Sequence, residues 1–458
     1  MQASDTAMRA QYASIARISG PLIVNNLAVA GMNFADTVMS GRLGADSLAA
    51  VAVGANTWML VFSACLGLLM AISPLIARLY GAGEIDRIGR YSRHGMYIGF
   101  GLGLLILVFG RPFAETFLTF IGIDPAFRHL TVEYVRVLLF GAPGILVFIA
   151  LRFTVEGVGY TRPIMFTSMF SLFSNVILNY ALMFGKFGAP ALGVIGCAWA
   201  SAITMWLVAI ALGLYVTISP RLKHLGVFSR IGWPRLQLFR EIFTLGLPIS
   251  VTITAEVGLF AVVSILVGTR GVDITAAHQI ALSYASTMFM VPLALASATT
   301  VQVGHMLGAG RPLHARQAGF AGIAMSAAFM AVSALSLLVF RDEIITIYTD
   351  DPVVTGIALS LLFVAAIFQV ADGIQISAAA ALRAYKDTRW PMAINLFAFW
   401  VVALPLAYLA AIRYQLPANQ IWVAFIVGLV LAAILPVSYT HLTLPTTLNS
   451  WGWGGGGG

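Results

Sequence analysis

The chain has 458 residues, of which 60% are hydrophobic and only 10% charged, with a mean hydropathy of +0.91. A soluble domain carries about 25% charged residues, so this composition excludes a soluble globular protein and points to a polytopic membrane protein. The net charge of +8 does not mark a partner of nucleic acid: the charges fall in short clusters between apolar segments, as control of membrane topology requires.

A helix needs about 20 predominantly apolar residues to cross a bilayer. The first ten residues are polar and lead straight into a full span, so no cleavable signal peptide is expected. Twelve segments are long enough: 13–39, 47–72, 95–118, 130–151, 163–185, 193–217, 242–267, 274–299, 318–340, 353–382, 391–412 and 420–436. The expected fold is therefore all-α, with twelve transmembrane helices. Cys65 and Cys197 lie in apolar segments without metal-ligand spacing and are expected to be buried, reduced thiols.

Most of the 26 Lys and Arg residues fall in the connections on the N-terminal side, among them Arg78, Arg87, Arg90, Arg93, Arg221, Lys223, Arg235 and Arg240. This bias places both termini in the cytoplasm. The longest connection, Ser219 to Glu241, is basic and internal, and reads as a linker between two six-helix halves. The expected divisions are an N-lobe over 10–218, a linker over 219–241 and a C-lobe over 242–436.

The halves repeat. Pro21 aligns with Pro248, Gly41, Gly44 and Asp46 with Gly268, Gly271 and Asp273, the "GAG" at 81–83 with that at 308–310, and Thr161-Arg162 with Thr388-Arg389. Six helices is an even number, so the lobes share one orientation and are related by a pseudo-twofold along the membrane normal. Beyond Pro436 the chain ends in "WGWGGGGG", which a guanine-rich nucleotide run would encode. Residues 437–458 are therefore expected to be a non-native tail.

Polar residues shared by both halves serve the fold; those that break the symmetry are the better functional candidates. Asp36 aligns with Val263, Glu256 with Val29, Asp372 with Ile145, Asn175 with Val402 and Asn179 with Leu406. A carboxylate in an apolar helix costs roughly 2.5–3.5 kcal/mol on insertion scales, and such residues mark ion or substrate paths. Asn26, Asn33 and Asp36 share one face of the first helix, and the fifth carries a matching stripe of Ser168, Ser171, Asn175 and Asn179. Amide oxygens with a carboxylate are hard ligands for a small cation such as Na+, or for a proton. The plainer alternative is a protonated Asp hydrogen-bonded between helices. In the second half, Glu256 follows Thr252 by four residues, and Asp372 is flanked by Gln369 and Gln375. These acids suit a cationic ligand, a proton or Na+, with a buried hydrogen-bonded acid as the alternative. His278, opening the eighth helix, is a secondary candidate. No Walker A sequence, HExxH zinc motif or nucleophile motif is present, so neither ATP-driven work nor an enzyme is expected.

Several stretches together resemble the multidrug and toxic compound extrusion (MATE) family, in its NorM-like branch: "GP" at 20–21, Asp36, "SGRLGADSLAA" at 40–50, Pro74, "YGAGE" at 80–84, "EGVGYTRPIM" at 156–165, "AAHQIA" at 276–281, Glu256 and Asp372. The resemblance spans residues 10 to about 436; the short twelfth helix and the tail depart from it. It implies the MATE fold: a two-lobed antiporter that exports cationic amphipathic compounds by alternating access, driven by entry of Na+ or H+. It further implies no cofactor, a monomer and a place in the bacterial cytoplasmic (inner) membrane. By the same resemblance Asp36, Asn175 and Asn179 form an N-lobe cation site, and Glu256 and Asp372 a C-lobe cation or substrate site. The second reading is a flippase for lipid-linked oligosaccharides, whose transporters share a two-lobed core. Those carry a cationic central cavity, whereas the acids here point to cationic ligands.

Overall fold

The computed structural model describes residues 2–443 apart from 121, 123 and 230–232, with side chains described for residues 8–436 apart from these positions and 126. Of the expected tail, residues 437–443 continue the last helix and 444–458 lie outside the described residues. Among the described residues twelve helices are long and apolar enough to span a membrane: α1 (Met8–Gly41), α2 (Ala45–Gly81), α3 (Ile85–Phe120), α4 (Phe127–Gly157), α5 (Arg162–Phe184), α6 (Val194–Ile218), α7 (Leu236–Gly268), α8 (Val272–Gly308), α9 (Pro312–Val339), α10 (Pro352–Ala384), α11 (Arg389–Arg413) and α12 (Ala418–Pro436). Helices prevail because a bilayer offers nothing to hydrogen-bond an exposed backbone.

The repeat has a conformational basis at its turns. Gly44 and Gly271, aligned between the halves, enter α2 and α8 with φ of 117° and 119°. A side chain is strained there, so both halves keep glycine. The helices are less alike. α2 is interrupted after Leu69 and resumes at Ile72, just before Pro74, which cannot donate to the carbonyl four residues back. Val301 stands at the aligned position in α8, which runs unbroken. α11 widens to π-helical winding over Phe397–Ala403 and Leu409–Arg413, on either side of Pro405, while its counterpart α5 is regular.

Two compact units are present, and they do not divide at the linker. One comprises Ala16–Thr254 with Leu307–Gly310; the other comprises residues up to Ile15, Ala255–Met306 and the chain from Arg311 onward. The first part of α7 therefore belongs with the helices before it. The cause is close backbone packing in the first unit: a Cβ on Gly67 of α2 would lie 2.5 Å from Ser250 Cα, and Ser250 Oγ donates to Ala64 O at 2.7 Å. The start of α1 belongs with α8 in the second unit, where Gln302 donates to Gln11 Oε1 at 2.8 Å and accepts from Ser14 Oγ at 2.7 Å.

α5 shows how the apolar chain is sorted. Phe166, Phe170, Phe173 and Ile177 are exposed along one face, whereas Ser168, Asn175 and Asn179 are buried on the other. In a bilayer the apolar face meets lipid and the polar stripe turns inward, the reverse of a soluble amphipathic helix.

Candidate functional site

α1 and α5 are stitched together at a constant offset. Thr161 Oγ1 donates to Ile18 O at 2.9 Å, Ser168 Oγ to Asn25 Oδ1 at 2.5 Å, and Asn179 Nδ2 to Asp36 Oδ1 at 2.5 Å, each pair 143 residues apart. The polar stripes of the two helices thus face each other and end at the carboxylate. Asn179 Nδ2 also donates to Asn175 Oδ1 at 2.9 Å, and Asn175 Nδ2 to Ser201 Oγ of α6 at 3.3 Å. Asn179 Oδ1 is buried without a hydrogen-bond partner.

Three further residues belong to this cluster. Cys197 and Ser201, one turn apart on α6, lie within hydrogen-bonding reach of the Asp36 carboxylate, and Tyr134 of α4 reaches Cys197. The four-residue spacing of Cys197 and Ser201 was visible in the sequence, but which helix they face was not. Asn33 is exposed, and its backbone carbonyl accepts from Thr37 Oγ1 at 2.9 Å. Asn25, not Asn26, meets Ser168, and Asn26 Oδ1 accepts from Asn25 Nδ2 at 2.9 Å.

In the other unit, Glu256 of α7 and Asp372 of α10 lie close enough for their charges to interact, and the Arg383 guanidinium acts on Glu256. Both flanking glutamines are buried. Gln369 Oε1 accepts from Ser333 Oγ of α9 at 3.0 Å, while Gln369 Nε2 and Gln375 Oε1 are buried without partners. Thr252 Oγ1 is spent on Pro248 O at 2.9 Å.

His278 is buried and hydrogen-bonded at both ring nitrogens. Trp422 Nε1, which can only donate, bonds to Nδ1 at 3.0 Å. Nδ1 is therefore bare, and Nε2 carries the proton toward Ser264 Oγ at 3.1 Å. The ring packs edge-on against Trp422, which continues into a buried aromatic cluster with Phe368 and Phe425. Among the described residues no three His, Cys, Asp or Glu side chains converge on a metal centre. A cation at Asp36 would thus be held by one carboxylate and neutral oxygens.

Among the described residues, twelve apolar helices with polar side chains gathered around intramembrane acids define a multi-pass membrane protein. The chain belongs to the multidrug and toxic compound extrusion family: the MatE family model matches residues 21–181 and again 248–409, once in each half. It is 36% identical over 430 residues to the multidrug resistance protein NorM of Vibrio vulnificus (strain YJ016), covering 93% of this chain and 94% of that protein. It is 35% identical over 426 residues to the multidrug resistance protein MdtK of Yersinia enterocolitica, covering 92% and 93%. The eukaryotic MATE transporter AtDTX14 shares the fold with a TM-score of 0.86 at 21% identity, over 95% of this chain and 97% of that one.

Proposed function

We propose that the protein is a secondary active multidrug efflux antiporter of the bacterial cytoplasmic membrane. It exports cationic amphipathic compounds in exchange for Na+ or H+ by alternating access, and works as a monomer with both termini inside. The names of its relatives, multidrug resistance proteins, support multidrug efflux.

The observation that carries the coupling reading is the cage around Asp36. One carboxylate is surrounded by neutral donors and acceptors, and the nearby Asn179 Oδ1 has no donor. An orphaned buried acceptor is costly, by about 1–3 kcal/mol. A small cation bound between the carboxylate, Asn179 Oδ1 and Ser201 Oγ would satisfy it, as would a rearrangement around a protonated carboxyl. The acid pair Glu256 and Asp372, with one guanidinium nearby, holds one negative charge in excess when ionised and suits a monovalent cationic ligand. Cation entry drives export only if these sites differ in affinity between the inward-open and outward-open states.

The test is ethidium export from proteoliposomes under an imposed Na+ gradient, then an H+ gradient, for the parent and for Asp36→Asn. Export driven by one gradient and lost in the variant is the expected result and names the ion. Export indifferent to both gradients would sink the antiport reading.

A further inference from the structure

The segment after α6 is fixed to the protein rather than loose. Leu222, Leu225 and Val227 are buried, and Arg93 donates to Gly226 O at 2.6 Å and Val227 O at 3.0 Å. Gly89 of α3 lies so close to this segment that a Cβ there would sit 2.5 Å from Leu225 O. With its apolar residues turned in, the segment presents Arg221 and Lys223 outward, both exposed. The Arg221 guanidinium lies over the Tyr160 ring at 5.4 Å from its centroid. Tyr160 OH meets Tyr215 OH of α6 at 3.2 Å. Two phenols sharing one hydrogen bond leave one hydroxyl proton to donate elsewhere.

The sequence contains no Asp or Glu between Glu156 and Glu241, and among the described residues neither Arg221 nor Lys223 is ion-paired. Within one turn along α6 the surface becomes apolar: Leu214 and Ile218 are exposed there, beside Tyr215. A cationic and phenolic corner next to exposed aliphatic side chains, at the end of a membrane-spanning helix, matches one ligand in both its parts. That ligand has an anionic phosphodiester head and an acyl tail.

We propose that Arg221, Lys223, Tyr160 and Tyr215 form a binding site for the headgroup of an anionic phospholipid. The guanidinium, held in place by the Tyr160 ring, and the Lys223 ammonium face the phosphate; the spare phenol proton donates to it; Leu214 and Ile218 lie along the first carbons of the chain. The site makes no use of Asp36, Glu256 or Asp372, so it stands apart from the transport reading.

The test is native mass spectrometry of the detergent-solubilised full chain titrated with phosphatidylglycerol or phosphatidylcholine. The parent should bind phosphatidylglycerol in preference. Arg221→Gln with Lys223→Gln should weaken that binding by about fivefold per cation removed, and Tyr160→Phe with Tyr215→Phe by less. The control pair Lys186→Gln with Arg413→Gln should leave it unchanged. Equal binding by parent and Arg221/Lys223 variant would overturn the site, as would an equal loss in the control pair, which would mean diffuse charge attraction. Displacement of the lipid by millimolar inorganic phosphate would overturn the lipid as occupant. Melting temperatures of the lipid-free variants keep misfolding distinct from lost binding.

Discussion

The two acidic regions solve the same electrostatic problem by different means. Asp36 is a lone carboxylate wrapped in neutral groups, with Asn179 bonded to it and Cys197 and Ser201 within reach. Glu256 and Asp372 are two carboxylates sharing one region with a guanidinium, and the flanking Gln369 is bonded to Ser333. The first arrangement depends on hydrogen-bond geometry and tolerates little rearrangement. The second depends on charge, which acts over longer distances and without fixed angles. On the transport reading proposed above, the neutral cage would take a small ion and the pair of acids a cationic ligand.

This contrast can be broken experimentally, and the largest effect is expected at the lone acid. Asp36→Asn should reduce gradient-driven ethidium efflux to the rate without a gradient. Glu256→Gln or Asp372→Asn alone should cost about tenfold, near 1.4 kcal/mol of coupling. The double variant should fall short of the product of the two, because interacting neighbours are not additive. Equal losses at all three acids, measured as initial rates, would erase the distinction.

An effect at least as large as that of either single C-terminal acid is expected at the cage itself. Asn179→Ala removes a hydrogen bond to a charged group, worth about 1.5–3 kcal/mol. The half-saturating concentration of the coupling cation should rise at least about tenfold, while exposed Asn33→Ala leaves it unchanged. A stability effect of comparable size is expected where helices touch: Gly246→Val drives a side chain into Leu68 O, and overpacking of this kind costs about 1–3 kcal/mol. It should lower the melting temperature in detergent without changing which gradient drives efflux. The smallest effect is expected at His278. Trp422→Phe deletes its donor at a cost of about 1 kcal/mol and should leave efflux kinetics unchanged; a change in coupling would return His278 to the functional set.

Much of the architecture was legible in the sequence because lipid imposes a single rule on every segment: an apolar run near 20 residues becomes a spanning helix. The internal repeat was legible for a related reason, since a residue such as Gly44 or Gly271 is tied to a backbone angle that other residues rarely adopt. Helical spacing gave only two polar stripes, one on α1 and one on α5; that Asp36 lies with Asn179 was implied by the family resemblance, and the structure brings the two together. Tyr134, Cys197 and Ser201 were not legible as neighbours of Asp36, because spacing along one helix does not tell which other helix it meets. Cys197 illustrates this: an apolar setting predicted a buried thiol, and it is buried, but beside a carboxylate. The division within α7 was hidden for the same reason. A basic loop reads as a boundary, whereas the contact at Gly67 and Ser250 lies beyond any local signal.

The constant spacing of 143 between α1 and α5 also sets what a sliding motion would do. Thr161, Ser168 and Asn179 are bonded like pins in a row, so a small slip disengages all three together. A slip of a whole helical turn is different. It brings Asn175 to the place Asn179 now occupies, because the two asparagines stand four residues apart on the same face. The carboxylate would then meet a second amide, whereas the same slip sets Ile164 in the place of Ser168, so only the Asp36 end of the row has a second partner to offer.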